Sequence, residues 1–461
     1  MEESLVVRHE YFGPLIWSRS LGKYFIVSSP DTAQKVGEAL RLRCTLTEKT
    51  FPELHHDLSV LGYDGTAREL VSPFNDRLSG PLEVYLDYTW VCNLQHAKCG
   101  KKAHCYAAPF LGNVTLPEAR VRSIIRELRE WGVMRLHLAG GEPTISYDGL
   151  DNYLKTAKKS GILTSFATNG MLIDEKMAEM ILRHNTYSVS FSIDGPIEEW
   201  NSRIRGKGVL GRSVSGFKLL KRMRDMKKSK TLLCIKPTYT PDQPRQIFDG
   251  MCELAVELGA DVLKFSNPER CLLHKTGYYK DISGKYYDIA LYIRGLQKKY
   301  AGRLCILCIN NPLTGGVSEI GIPGSRGCIG GQELLTVNPN GRVSPCLMFP
   351  LDLGTLGKDF STLGEMWRTS PAFRFFRERL NASSACCNCA KYGACRSGSN
   401  VRKAVDEGIL IDKVSIGDYI SRKDPLCPLD YSKQSGIAWD HGDHMRSDLK
   451  ILKPVSVSHS L

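Results

Sequence analysis

The chain has no run of about 18 apolar residues, so no membrane-crossing helix is expected. Its opening segment, MEESLVVRHEYFG, lacks the apolar core of a secretory signal, and a cytoplasmic protein is expected. Acidic residues are fewer than basic ones, 49 against 62, and the formal net charge is +13. That balance suits nucleic acid, an anionic surface or an acidic peptide. Aromatic residues do not interleave with the basic run KRMRDMKKSK at 221–230. The run therefore reads as a solvated helix face, and no nucleic-acid partner is expected.

Cysteine is not scarce. The chain holds 16, and in a cytoplasmic setting so many read as metal ligands before disulfides. They cluster: Cys92, Cys99 and Cys105 lie in one loop, and Cys386, Cys389, Cys395 and Cys427 lie in a late block preceded by Cys328 and Cys346. Cys44, Cys234, Cys252 and Cys271 stand alone and read as small buried hydrophobes.

The length of 461 residues implies more than one domain. Residues 1–75 form a small α+β unit. VRHEYFGPLIWSRSLGKYFIVS reads as two strands around the turn Ser20-Leu21-Gly22-Lys23, a helix runs from Pro30 to Leu40, and a second helical stretch covers 45–62. SPFNDRLSGP at 72–81 is a linker. Residues 80–300 then alternate strand and helix. Strands are expected near 82–88, 134–139, 162–167, 187–193, 231–237 and 261–266, and helices near 116–130, 148–160, 173–184, 211–226, 243–258 and 284–299. Val121, Ile124, Ile125 and Leu128 give the first helix its apolar stripe. Six such units imply a parallel sheet, and a closed barrel of this class has eight. The fold class is α/β, a partial (β/α)6 barrel, followed by a cysteine-rich unit at 301–435 and a polar tail at 436–461.

Cys92-Asn93-Leu94 follows the first barrel strand and Cys105-Tyr106 ends the cysteine loop. Gly140-Gly141-Glu142-Pro143 ends the next strand, and Ala167-Thr168-Asn169-Gly170 and Ser190–Gly195 end the two after it. In this order the motifs resemble the radical SAM superfamily over roughly residues 80–430, in its branch with a C-terminal SPASM domain. The resemblance implies that Cys92, Cys99 and Cys105 hold a catalytic [4Fe–4S] cluster, with one iron left for S-adenosylmethionine. Six residues separate the first pair of these cysteines and five the second, a departure from the family's CxxxCxxC. His96 and His104 are the other donors in the loop, although thiolate suits iron–sulfur better than imidazole. His104 also matches a position that packs beside adenine. By the same resemblance Gly140, Gly141, Glu142 and Pro143 hold the methionyl amine. Thr168, Asn169, Ser192 and Asp194 line the ribose and carboxylate side, and Arg205 lies near the methionyl carboxylate.

LLTVNPNGRVSPC reads as a hairpin turning at Asn340-Gly341. The cysteines around and after it resemble the SPASM pattern with one missing, where Ser399 stands. Cys386, Cys389, Cys395 and Cys427 make a complete set. Cys328 and Cys346 lack an assigned third partner, for which Cys305, Cys308 and Cys387 are candidates. One or two auxiliary clusters are implied.

The resemblance implies an oxidoreductase-type peptide maturase. It would cleave S-adenosylmethionine to a 5′-deoxyadenosyl radical and modify a ribosomally synthesised precursor peptide by a crosslink, thioether or related change. A reductase, flavodoxin or ferredoxin would supply electrons. Residues 1–75, through Arg8, Tyr11, Phe12 and Gly13, resemble the precursor-recognition units of such enzymes, with a packing cap as the alternative. Maturation of a protein or redox cofactor is the first rival; Leu347, where sulfatase maturases carry a basic-acting Asp, counts against that form of it. A non-catalytic zinc-binding interaction protein is the second.

Overall fold

The computed structural model describes residues 4–10, 13–19, 24–27, 30–42, 44–73, 78–94, 112–240, 242–266, 278–309, 328–348, 353–378, 386, 388–389, 398–406 and 423–427. Two sheets organise them. The small one has the order β3-β2-β1-β4, from Tyr24–Ile26, Gly13–Ser18, Leu5–Glu10 and Ala67–Val71. The stretch expected as two strands is thus three, because the chain also reverses between Glu10 and Gly13. A fourth, β4, returns parallel to β1. The helical stretch after residue 44 is broken at Phe51, since the residue before a proline avoids the helical region. It gives Cys44–Thr50 and Pro52–Val60.

Alternation along β1 sends its side chains to two cores. Leu5 and Val7 join Val36, Leu54 and Leu58 from the unit's own helices. Val6 joins Leu15, Trp17 and Tyr24 against Leu78, Leu82, Met134 and Leu163 of the barrel. Leu82 and Met134 immediately precede barrel strands, and Leu163 begins one. The N-terminal unit therefore packs on the N-terminal ends of the strands, the base of the barrel.

Arg8 fixes this junction. It is 1% exposed. Its guanidinium donates to the carbonyls of Gly80 (2.8 Å), Pro81 (3.1 Å) and Gly132 (3.1 Å) and pairs with Glu10 through Nε at 2.8 Å. Glu10 in turn accepts from the Ser79 amide at 3.0 Å. Arg8 thus holds the linker and the barrel base. Tyr11 and Phe12 lie outside the described residues.

The large sheet has nine strands in the order β11-β10-β9-β8-β7-β6-β5-β12-β13. β5 to β10 are Glu83–Thr89, Arg135–Gly140, Leu163–Thr168, Ser188–Phe191, Leu232–Ile235 and Val262–Ser266, all parallel, each followed by a helix where expected. β11, Cys305–Ile309, extends the sheet beyond β10. At the other edge β12, Leu334–Val337, pairs parallel with β5 and forms the expected hairpin with β13, Val343–Ser344. The helices bury one face of the sheet: Val121, Ile124, Ile125 and Leu128 meet Val84, Leu86, Leu136 and Leu138 in one core. Among the described residues no helix is long and apolar enough to cross a membrane.

Replacing Arg8 with Ala strands the Glu10 carboxylate and three buried carbonyls. It is expected to lower the unfolding free energy by about 3–5 kcal/mol, the usual cost of breaking a buried charge pair from one side. Urea unfolding followed by tryptophan fluorescence measures this, and a loss below about 1 kcal/mol would show the junction to be unimportant.

Candidate active site

The C-terminal ends of β5, β6 and β7 meet in a hydrogen-bonded rim. Gly140 has φ +138°, and a Cβ there would lie 1.9 Å from the Thr89 carbonyl; one at Gly141 would lie 2.2 Å from the Val91 carbonyl. The two glycines let the end of β6 close on the end of β5, where the Gly141 amide donates to Thr89 O (2.8 Å) and the Glu142 amide to Val91 O (2.9 Å). Their small size serves this contact within the chain.

Glu142 is 2% exposed. Its Oε1 accepts from the Thr144 amide (3.0 Å), the Thr144 hydroxyl (2.6 Å) and the Thr168 hydroxyl (2.7 Å). Its Oε2 accepts from the Asn169 amide (2.7 Å). Burial pushes the carboxyl above its ordinary range, against these donors. With three donors on Oε1, the oxygen with acceptor capacity left for an ammonium is Oε2. Pro143 is buried beside it and starts the short turn through Ile145.

The network continues toward the cysteine loop. Asn169 Nδ2 donates to Asn93 Oδ1 at 2.7 Å, and Asn93 follows Cys92. The Ser213 hydroxyl donates to the Asn169 carbonyl. Cys92 is half-buried and packs near Leu94, Met171, Ile204 and Val209. Thr144, Ser213 and Asn93 were not among the expected site residues. Asn93 lay in the quoted Cys-Asn-Leu motif, so its position was the available signal. Cys99, Cys105, His96 and His104 lie outside the described residues.

A second node sits at the end of β8. Asp194, 2% exposed, pairs with Arg205 Nε, and its Oδ1 accepts from the Thr238 amide at 2.6 Å. Asn201 Oδ1 holds the Asp194 amide at 3.0 Å. Asp194 therefore orients Arg205 and ties β8 to the segment after β9. The Ser192 amide donates to Thr168 O at 2.8 Å, bringing Ser192 to the same rim.

In the C-terminal region, an added Cβ on Gly330 would lie 3.4 Å from Cys346 Cβ and 3.6 Å from Cys328 Sγ. Two cysteines thus border a space that a larger residue would invade. Cys386 and Cys389 share one turn, closed by Cys389 N–H to Cys386 O at 3.0 Å. Cys427 follows Leu426, whose carbonyl accepts from the buried Tyr287 hydroxyl. Cys395 and Cys387 lie outside the described residues. Cys308 is buried in the main core, 3.5 Å from the Tyr239 hydroxyl. Ser399, in place of the missing cysteine, precedes helix Asn400–Asp406; its amide donates to Asp424 (2.8 Å), which also binds Arg402. Burial pushes the Asp424 carboxyl up, but Arg402 and the Ser399 and Leu426 amides bring it below the usual 3.8. Of the lone cysteines, Cys252 is buried, and burial first of all pushes its thiol up to about 12.

A parallel sheet with polar groups gathered at its C-terminal strand ends is an arrangement that suits a small polar ligand at the rim, with Cys92 beside it. Residues 99–250 match the family model of the radical SAM superfamily, and residues 328–390 match that of SPASM, an iron–sulfur cluster-binding domain. These segments of the chain thus carry a radical SAM domain and, downstream of it, a SPASM domain. The first match begins at Cys99 and leaves out Cys92; the second takes in Cys328, Cys346, Cys386 and Cys389. The mycofactocin maturase MftC of Mycolicibacterium smegmatis is 28% identical, covering 72% of this chain and 82% of its own. The AdoMet-dependent heme synthase of Oleidesulfovibrio alaskensis is 26% identical, covering 74% and 87%. Streptococcus suis SuiB bound to its precursor peptide SuiA shares the fold with a TM-score of 0.64 at 18% identity, covering 87% and 95%. A [4Fe–4S] cluster, auxiliary iron–sulfur clusters and S-adenosylmethionine are the cofactors of such a protein.

Replacing Glu142 with Ala is expected to leave the iron content intact and to weaken S-adenosylmethionine binding by about 2–5 kcal/mol, measured by anaerobic calorimetry. Unchanged affinity would make Glu142 a brace for the loop alone. Replacing Cys92, Cys99 and Cys105 together with Ala is expected to remove about four irons and abolish 5′-deoxyadenosine formation. Nucleotide cleavage by the triple variant would refute the ligand set.

Proposed function

We propose that this protein is an oxidoreductase-type peptide maturase that modifies a ribosomally synthesised precursor peptide. The observation that carries the reading is the N-terminal unit: a four-stranded sheet held rigidly on the barrel, with β3 pairing on one side only among the described residues. Similarity to a mycofactocin maturase and the fold shared with SuiB support it. Similarity to a heme synthase favours a second reading, a small-molecule substrate, which the experiment below separates from the first.

Cys92, Cys99 and Cys105 would hold the catalytic [4Fe–4S] cluster, which would supply the one-electron chemistry of reductive S-adenosylmethionine cleavage. The chain's own part is placement. Glu142 Oε2 accepts the methionyl ammonium, and Asn169, Thr168 and Ser192 line the ribose side. Arg205, aimed by Asp194, meets the methionyl carboxylate. Cys328 and Cys346, and the set Cys386, Cys389, Cys395 and Cys427, hold auxiliary clusters. A small reductase, flavodoxin or ferredoxin delivers electrons.

The N-terminal unit binds the peptide as an added strand, where main-chain hydrogen bonds supply affinity. β1 is not the receiving strand, since β2 and β4 flank it. β3 receives it. The Val27 amide donates to Pro14 O at 2.9 Å, so by antiparallel alternation the Ile26 amide points away from β2. The unit sits at the barrel base and the rim lies at the other end. A peptide held on β3 must span a strand's length, about 20 Å, or some six extended residues, before its modified segment reaches the rim. Anchoring raises the local concentration of that segment.

Ile26→Pro removes the outward donor and leaves the β2 ladder whole. With a short precursor encoded beside this reading frame, the variant is expected to cleave S-adenosylmethionine at the wild-type rate without peptide, yet to modify the precursor at least about tenfold more slowly. Modification at the wild-type rate would remove the recruitment role, and a wild-type enzyme that modifies no peptide would leave the small-molecule reading.

A further inference from the structure

One buried side chain of the C-terminal region has a donor that the chain leaves unused. Asn400 begins the helix Asn400–Asp406 and is 2% exposed. Its Oδ1 accepts from Lys403 Nζ at 3.4 Å. That contact fixes the sense of the amide, because an ammonium meets the carbonyl end and not the NH2 end. The other end, Nδ2, has no hydrogen-bond partner among the described residues. Buried NH2 groups of folded proteins are nearly always paired, since an unmade bond in a dry place is costly. The orphan therefore marks an acceptor that belongs beside it.

Cys427 is tied to this place. The Asp424 carboxylate accepts from the Ser399 amide at 2.8 Å and from the Leu426 amide at 2.9 Å. One carboxylate thus joins the residue before Asn400 to the residue before Cys427. Arg402 closes the same junction, with Nε at 2.9 Å and Nη2 at 2.6 Å from Asp424. The Tyr287 hydroxyl donates to the Leu426 carbonyl. Burial first of all pushes that hydroxyl up, and Asp424 and Cys427 add to the rise, so Cys427 stands within electrostatic reach of the junction. Ser399, where a ligand cysteine is missing, serves as a cap: its hydroxyl accepts from the Arg402 amide at 3.4 Å. These groups fit an iron–sulfur cluster. Cys427 brings a thiolate, and Asn400 brings the kind of donor that cluster sulfurs take.

We infer that Asn400 donates through Nδ2 to a sulfur of the auxiliary cluster that Cys427 ligates, and so raises the reduction potential of that cluster. This rests on the reading of Cys386, Cys389, Cys395 and Cys427 as its ligands. A hydrogen bond to sulfur stabilises the reduced, more negative form more than the oxidised one. Burial strengthens the effect, because little water competes for the same sulfur. The consequence is a cluster better suited to take an electron than to give one.

The test is a redox titration of the reconstituted protein followed by low-temperature electron paramagnetic resonance. Cys427→Ala is expected to lose about four irons and one reduced-cluster signal, which identifies the cluster in question. Asn400→Leu is expected to keep the iron and the signal. At a fixed potential near the midpoint its reduced-to-oxidised ratio should fall about tenfold, which is about 59 mV for one electron. A second measurement holds even where Asn400→Leu fails to keep its iron. It uses Asn388→Ala protein with heavy nitrogen in its asparagine side chains, because Asn388 is the other asparagine between Cys386 and Cys427. Pulsed resonance should show that signal coupled to an amide nitrogen. A ratio within about twofold of wild type in iron-replete Asn400→Leu, or no nitrogen coupling in the labelled protein, gives Nδ2 a partner other than the cluster and overturns the inference while the ligand set stands. A Cys427→Ala protein that keeps every iron and every signal overturns the ligand set and this inference with it.

Discussion

The buried carboxylate of Glu142 is the constraint on which the rim depends. Four donors reach it, from Thr144, Thr168 and Asn169, so one side chain ties the end of β6 to the end of β7. In so dry a place each charge-assisted bond is stronger than in water, and each would be costly to leave unmade. The arrangement is rigid because Asn169 is held three ways: by Glu142 through its amide, by Ser213 through its carbonyl and by Asn93 through its side chain. Asn93 adjoins Cys92. A displacement of Glu142 would therefore be felt at the first residue of the cysteine loop.

The two ends of the barrel divide labour. Its base is closed by Trp17, Tyr24, Leu82, Met134 and Leu163, and pinned by Arg8 to three carbonyls. Its rim carries glycines, asparagines and paired charges whose geometry is set by the strand ends. Packing at the base lets the rim depart from a filled core, since a sheet stabilised by helices on one face and a domain beneath can leave its inner face polar. The N-terminal unit is thus both a packed cap and, in our proposal, a peptide anchor, and the two roles use different surfaces: Arg8 and Trp17 face the barrel, while the outer side of β3 faces away from β2.

Periodicity made the six central strands and their helices legible, because each is a local pattern of buried positions. The Cys-Asn-Leu, GGEP and strand-end segments marked the rim for the same reason. What stayed hidden depends on contacts distant in sequence. The pairing of β4 with β1, of β11 with β10 and of β12 with β5 joins segments whose own sequences do not declare a partner. The role of Gly140 follows from the Thr89 carbonyl, some fifty residues earlier in the chain. Arg8 was legible as a motif residue, but its burial is a property of the docked pair.

The most direct test of the central claim, that this rim places S-adenosylmethionine on a cluster held beside Cys92, is low-temperature electron paramagnetic resonance of the reconstituted, reduced protein. The measurement compares the spectrum before and after S-adenosylmethionine is added. The account predicts that the signal of the reduced [4Fe–4S] cluster changes shape on addition, and that Glu142→Ala blunts the change at the same nucleotide concentration. A reduced-cluster signal that S-adenosylmethionine leaves unaltered in the wild-type protein would contradict it.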